Sequence, residues 1–120
     1  MHKKILIVDD DPGICNSLSN ILREEGYYVD GVTDSAKAAM LIEKDVYDIC
    51  LFDYKMDGLN GMDLLKMEKE KNPRSAVFIL SGILDPDKVF NSKKNTGLAY
   101  GIISKPFDVD ELLRKISTVV

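Results

Sequence analysis

The sequence predicts an α/β fold: a doubly wound parallel sheet of five strands in the order 2-1-3-4-5, carrying five helices. Five short apolar runs punctuate the chain, and a stretch with helical spacing follows each one. Alternation of this kind implies parallel strands joined by right-handed crossovers. Four of the runs are continuously apolar, as strands covered on both faces must be, while the second is broken by Asp30 and Gly31 and suits an edge.

The first strand is ILIV at 5–8. Asp11-Pro12 then opens a helix, with a capping carboxylate ahead of a proline whose missing N–H costs nothing at the first helical position. Ile14, Leu18, Ile21 and Leu22 share one helical face, and Gly26 marks the end. YYVDGV at 27–32 is the edge strand, with a helix expected over 35–44. ICLF at 49–52 precedes a helix over 61–72, closed by Asn72-Pro73. AVFIL at 76–80 is the fourth strand, and Asp85-Pro86 opens a fourth helix over 86–96, polar beyond Val89 and Phe90. GIIS at 101–104 is the fifth strand. Asp108 with Glu111 forms an acidic capping box before a last helix on which Leu112, Leu113, Ile116 and Val120 repeat the apolar rhythm. The order 2-1-3-4-5 makes the arrangement flavodoxin-like.

At 120 residues the chain is expected to be one domain, 1–120, large enough to bury a core without disulfides. With 45% hydrophobic and 30% charged residues, it is neither a disordered tail nor a collagenous chain. A net charge of −4 argues against a broad nucleic-acid footprint. The run from Ile5 to Val8 is too short for a signal sequence or a membrane span, so neither nucleic acid nor membrane is an expected partner. Cys15 and Cys50 sit in apolar segments and read as reduced, packed thiols in a cytoplasmic protein. The single histidine, His2, leaves no histidine-based metal or catalytic site.

In a sheet of this order, ligands bind beyond the carboxyl ends of the strands where the order reverses, here between the first and third. The first strand runs into Asp9, Asp10 and Asp11, and the third ends in Asp53. Two unit charges about 4 Å apart repel by about 4 kcal/mol at an effective dielectric of about 20. Such a group must protonate, splay apart or bind a cation, and a hard divalent ion such as Mg2+ is the natural solution. Capping of the first helix accounts for Asp11 alone and leaves two acids over. Ser81, followed by Gly82, ends the fourth strand, and Lys105 ends the fifth. An acid pair, a third acid, a hydroxyl and an ammonium are the parts needed to hold a metal and a phosphoryl group together.

With IVDDDP at 7–12, LFDYKMDGLNG at 51–61, ILSG at 79–82 and SKPFD at 104–108, the sequence resembles the receiver domain of bacterial two-component response regulators over essentially its whole length. The resemblance implies that Asp53 is a phosphoacceptor, served by a phosphohistidine on a sensor histidine kinase or phosphotransfer protein, or by a small acyl phosphate. It implies that Mg2+ is held by Asp10 and Asp53 and by the backbone carbonyl of Lys55, with Asp9 nearby or acting through water. Ser81, Gly82 and Lys105 would take the phosphoryl oxygens, and the peptide before Pro106 would be cis. The domain would not be an enzyme on an external metabolite, although it assists its own phosphorylation and dephosphorylation. Ser81 and its loop would move on phosphorylation, and the fourth helix, fifth strand and fifth helix would signal to a downstream output domain or protein. Dimerisation through the fourth-helix face stays open, as does whether the chain is free-standing or a segment of a larger regulator.

Two positions depart from the family pattern. Ile102 stands where the family places an aromatic switch residue; Tyr100, an even number of residues away, would share its face in a regular strand and substitute for it. Asp57 stands where the family places proline and reads as a solvated loop acid, while Lys55 is expected to lean its ammonium over the site. Met40, Met62 and Met67 are spaced as packing residues on helix faces. A flavin or nucleotide binder on the same sheet is disfavoured, because Asp9-Asp10-Asp11-Pro12 repels phosphate without metal. A pseudo-receiver acting only as a protein-interaction module is the alternative reading.

Overall fold

Local chemistry starts and stops the helices where the sequence suggests. The structure is a computed structural model that describes residues 2–82 and 99–119. Strand β1 (Lys4–Val8) leads through Asp11 into α1 (Pro12–Glu24), and the Asp11 side chain accepts from the N–H groups of Gly13 and Ile14 at 2.9 and 3.3 Å. Then come β2 (Tyr28–Val32), α2 (Ser35–Lys44), β3 (Ile49–Asp53) and α3 (Gly61–Lys71). β4 (Ala76–Ser81), β5 (Gly101–Ser104) and the C-terminal helix α4 (Val109–Ser117) complete the described elements. The helix expected over 86–96, with its Asp85-Pro86 start, lies outside the described residues, as does Val120. Asp108 caps α4 by accepting from Asp110 and Glu111 N–H, while the Glu111 carboxylate turns to Lys115 one turn on, at 3.3 Å.

All five strands are parallel, in the order β2-β1-β3-β4-β5. Strand alternation splits the interior into two layers. Leu6, Val8, Cys50, Phe52, Val77 and Ile79 face Ala38 and Ile42 of α2 and Leu64 and Leu65 of α3. Ile5, Ile7, Ile49, Leu51, Phe78, Leu80 and Ile103 face Leu18 and Leu22 of α1 and Leu112 and Ile116 of α4. Burying each such side chain contributes about 1.5–3 kcal/mol, which holds the strand ends in register for the site beyond them. Cys15 and Cys50 are buried and unbridged. Of the methionines expected to pack, Met62 is buried and Met67 lies against the core, but Met40 is 70% exposed. The buried face of α2 runs through Ser35, Ala38 and Ile42, and Met40 falls about 200° round the helix from Ala38. No helix among the described residues is long and apolar enough to cross a membrane.

Candidate functional site

Sheet register brings the expected residues to one edge. Asp9 follows β1 and donates its backbone N–H to Val32 of β2 at 3.2 Å. Asp53 ends β3 opposite Leu80, and Tyr54 N–H bonds the Leu80 carbonyl at 2.9 Å. Ser81 ends β4 opposite Ser104, and Lys105 N–H bonds the Ser81 carbonyl at 2.7 Å. The peptide between Lys105 and Pro106 is cis.

Lys105 Nζ lies 2.7 Å from Asp9 Oδ2 and 3.0 Å from Asp53 Oδ1, bridging two strands that are not its neighbours. Asp9 is fully buried and Asp53 is 6% exposed, whereas Asp10 is exposed. The two Asp9 oxygens divide their work. Oδ1 accepts from Asp11 N–H at 3.0 Å and shapes the turn into α1; Oδ2 is buried without a well-directed hydrogen bond, its approach to Lys105 being an ion pair only. One carboxylate oxygen from each of Asp9, Asp10 and Asp53 lies within 4.8 Å of the others. An oxygen-only donor set of three crowded carboxylates fits a hard divalent cation.

The electrostatics record the crowding. The Asp53 carboxyl is pushed up to about 6, first by burial and then by the charges of Asp9 and Asp10, with Lys105 opposing them. For Lys105, burial works against the ammonium, but its pairs with Asp9 and Asp53 outweigh that and hold it above its ordinary range. The lysine therefore stays charged and supplies part of the positive charge the cluster needs.

Ser81 is half-buried, and its Oγ makes a long 3.4 Å contact to the Gly82 carbonyl. Lys55 and Asp57 are exposed on the loop after β3; the Asp57 side chain is not part of the three-acid group. The pairing of Ile102 with Tyr100 does not hold. Ile102 packs in the layer with α2 and α3, whereas the Tyr100 ring sits 5.2 Å from Phe78 and its hydroxyl donates to the Thr118 carbonyl at 3.0 Å, beside the end of α4. β5 begins only at Gly101, so strand alternation does not reach Tyr100.

Four residues that organise the site were given no role from the sequence. Gly61 opens α3 against the back of Asp53: a Cβ there would come 2.5 Å from the Asp53 carbonyl oxygen. Asn60 and Asp63 form a reciprocal capping box that holds this helix end, a pattern visible in the sequence as Asn-x-x-Asp. Ser35 reaches from α2 to the loop after β3, bonding Asp57 and Leu59. No local pattern marks a contact across 22 to 24 residues.

Comparison with known proteins agrees with this geometry. The family model of the response regulator receiver domain matches residues 5–117. The chain is 33% identical over 112 residues to Sporulation initiation phosphotransferase F of Bacillus subtilis, covering 93% of this chain and 89% of that protein. It is 34% identical over 113 residues to the transcriptional regulatory protein ZraR of Klebsiella oxytoca, covering 94% of this chain but only 25% of ZraR. Among solved structures, the receiver domain of the sensor histidine kinase PA1611 from Pseudomonas aeruginosa, with a magnesium ion coordinated in its active site cleft, superposes with a TM-score of 0.83. That match has 25% identity and covers 99% of this chain and 98% of the other. A family match spanning nearly the whole chain, on a sheet whose tips gather these acids, establishes that the chain belongs to the response regulator receiver domain family.

Proposed function

We propose that Asp53 is the phosphoacceptor of this receiver domain. The observation that carries the reading is the contact of Lys105 Nζ with Asp53 Oδ1 at 3.0 Å, inside a group of three carboxylates. An Asp53 oxygen attacks phosphorus, the new O–P bond forms as the donor's N–P or O–P bond breaks, and the departing electron pair returns to the donor atom. With its carboxyl titrating near 6, Asp53 is mainly the nucleophilic carboxylate above neutrality. Lys105 orients that carboxylate and faces the incoming phosphoryl oxygens, while Ser81 and the N–H of Gly82 offer donors at the adjacent strand end. Phosphoryl transfer passes through a loose transition state with charge on the equatorial oxygens, so positioning and cations do most of the catalysis.

Asp10, Asp53 and the Lys55 carbonyl would hold Mg2+, with Asp9 behind them. Bound there, Mg2+ supplies the positive charge that offsets repulsion between phosphoryl oxygens and the acid cluster. The donor is a phosphohistidine on a sensor kinase or phosphotransfer protein in the cytoplasm, and residues 1–120 act as one domain that passes the signal to an output protein or attached domain. Both output arrangements have a precedent in length, since the chain spans most of one relative and a quarter of the other.

The test is intact-mass measurement after incubation with Mg2+ and acetyl phosphate. One phosphoryl adduct is expected on the wild type and none on Asp53→Asn. An adduct that survives in Asp53→Asn moves the acceptor elsewhere. No adduct on the wild type makes the domain a protein-interaction module.

A further inference from the structure

Residues 54–60 link β3 to α3, and backbone bonds fix both ends of that loop: Tyr54 N–H to the Leu80 carbonyl at 2.9 Å, and Gly61 N–H to the Tyr54 carbonyl at 3.1 Å. Between them run Lys55, Met56, Asp57, Gly58, Leu59 and Asn60, none of them a proline that would lock the backbone. Met56 and Leu59 lean on the core and place the loop coarsely. Asp63 of α3 holds the Asn60 N–H at the far end, and the middle of the loop is reached by a side chain from α2. Ser35, the first residue of α2 and 5% exposed, donates its hydroxyl to the Asp57 carbonyl at 3.1 Å and accepts from Leu59 N–H at 3.1 Å. Gly58 sits between these partners at φ +81, and a Cβ there would come 2.8 Å from Ser35 Oγ, so turn and serine are fitted to each other.

Capping does not explain the hydroxyl. Asp34 already caps α2 by accepting from Ala36 N–H at 2.9 Å. The Ser35 hydroxyl bonds to Asp57 and Leu59 go to the loop instead.

We infer that Ser35 is a positioning residue of the cation site, clamping the 55–59 backbone so that the loop's carbonyl ligand is presented at a fixed place beside Asp10 and Asp53. The inference rests on the Mg2+ reading of the site given above. Mg2+ demands near-ideal octahedral geometry at about 2.0–2.1 Å, so a ligand carried on a wandering loop loses affinity. Outer partners that orient metal ligands typically account for about 10–100-fold in affinity.

Calorimetric titration of the full chain with MgCl2, alongside amide hydrogen exchange at Leu59 without metal, tests it. Ser35→Ala should bind Mg2+ about 10-fold more weakly than the wild type and exchange the Leu59 amide faster; Ser35→Gly, which also lacks the hydroxyl, serves if the alanine variant does not fold. Asp34→Ala, which removes the helix cap and leaves the clamp, should lower the melting temperature with Mg2+ affinity kept within twofold. If the Ser35 variants match the wild type in affinity, or if Asp34→Ala weakens binding equally, the clamp is wrong while the Mg2+ site stands. A wild type that takes up no Mg2+ overturns the site reading and the clamp with it.

Discussion

Lys105 does two jobs with one ammonium. It neutralises the buried Asp9, and it sits against Asp53 with enough strength to oppose what burial and two neighbouring acids do to that carboxyl. An opposite charge within about 4–6 Å lowers a carboxyl pKa by about 1–3 units. Lys105→Ala should therefore let Asp53 titrate about 1–3 pH units above its present value near 6, read from the side-chain carboxyl carbon shift by NMR without metal. An unchanged titration would mean that Asp9 alone engages the lysine. The residue types of the site were legible in the sequence because each stands where an apolar run stops. The burial of Asp9 was not, since Asp9 and Asp10 are adjacent acids and only packing makes one inaccessible and the other exposed. Tyr100 shows the same limit: an even spacing speaks for one face only inside a strand, and the strand starts one residue later.

The junction of β3 and α3 is the element on which the site turns. Asn60 and Asp63 cap the helix, and Gly61 lets its first turn lie directly on the Asp53 backbone. Gly61→Ala would drive a methyl to 2.5 Å from the Asp53 carbonyl oxygen, and the backbone has to give. Overpacking of this kind costs about 1–3 kcal/mol. The variant should lose that much stability in urea unfolding and, with Asp53 as the proposed acceptor, should also accept phosphoryl groups from acetyl phosphate more slowly, because the Asp53 backbone is displaced. Full stability with full activity would show that the close approach is not needed. The helix start at residue 61 was readable from the sequence; the closeness of its backbone to Asp53 was not, because that distance depends on how α3 settles on the sheet.

Stability of the whole molecule carries a pH signature written far from the strand tips. Glu68 of α3 is 1% exposed against β3, with Cys50 Sγ–H donating to its Oε2 at 3.5 Å and Oε1 making no hydrogen bond among the described residues. Burial holds this carboxyl above its ordinary value of 4.5, with Cys50 and Ser75 only partly offsetting it. Between the unfolded and folded values, the folded state keeps a proton that the unfolded state has released, so stability falls as pH rises through that window. Glu68→Gln has no such proton to lose. Its unfolding free energy relative to the wild type should rise as pH increases above about 4.5 and level off once the folded carboxyl has ionised, measured by urea denaturation across pH; a constant difference would mean Glu68 ionises freely in place. Residue type alone would set Glu68 in water beside Lys66, Lys69 and Glu70, but four residues after Leu64 and three after Leu65 it falls on the buried face of α3, and the seat of that face on the sheet closes it off. Apolar runs and capping residues are local properties, so the order of elements, the five-stranded topology and the acids at the strand ends follow from the chain itself. The Lys105 bridge, the Ser35 clamp and the burial of Asp9 and Glu68 belong to the folded molecule, because each depends on residues tens of positions apart whose distance is set by sheet register and helix packing.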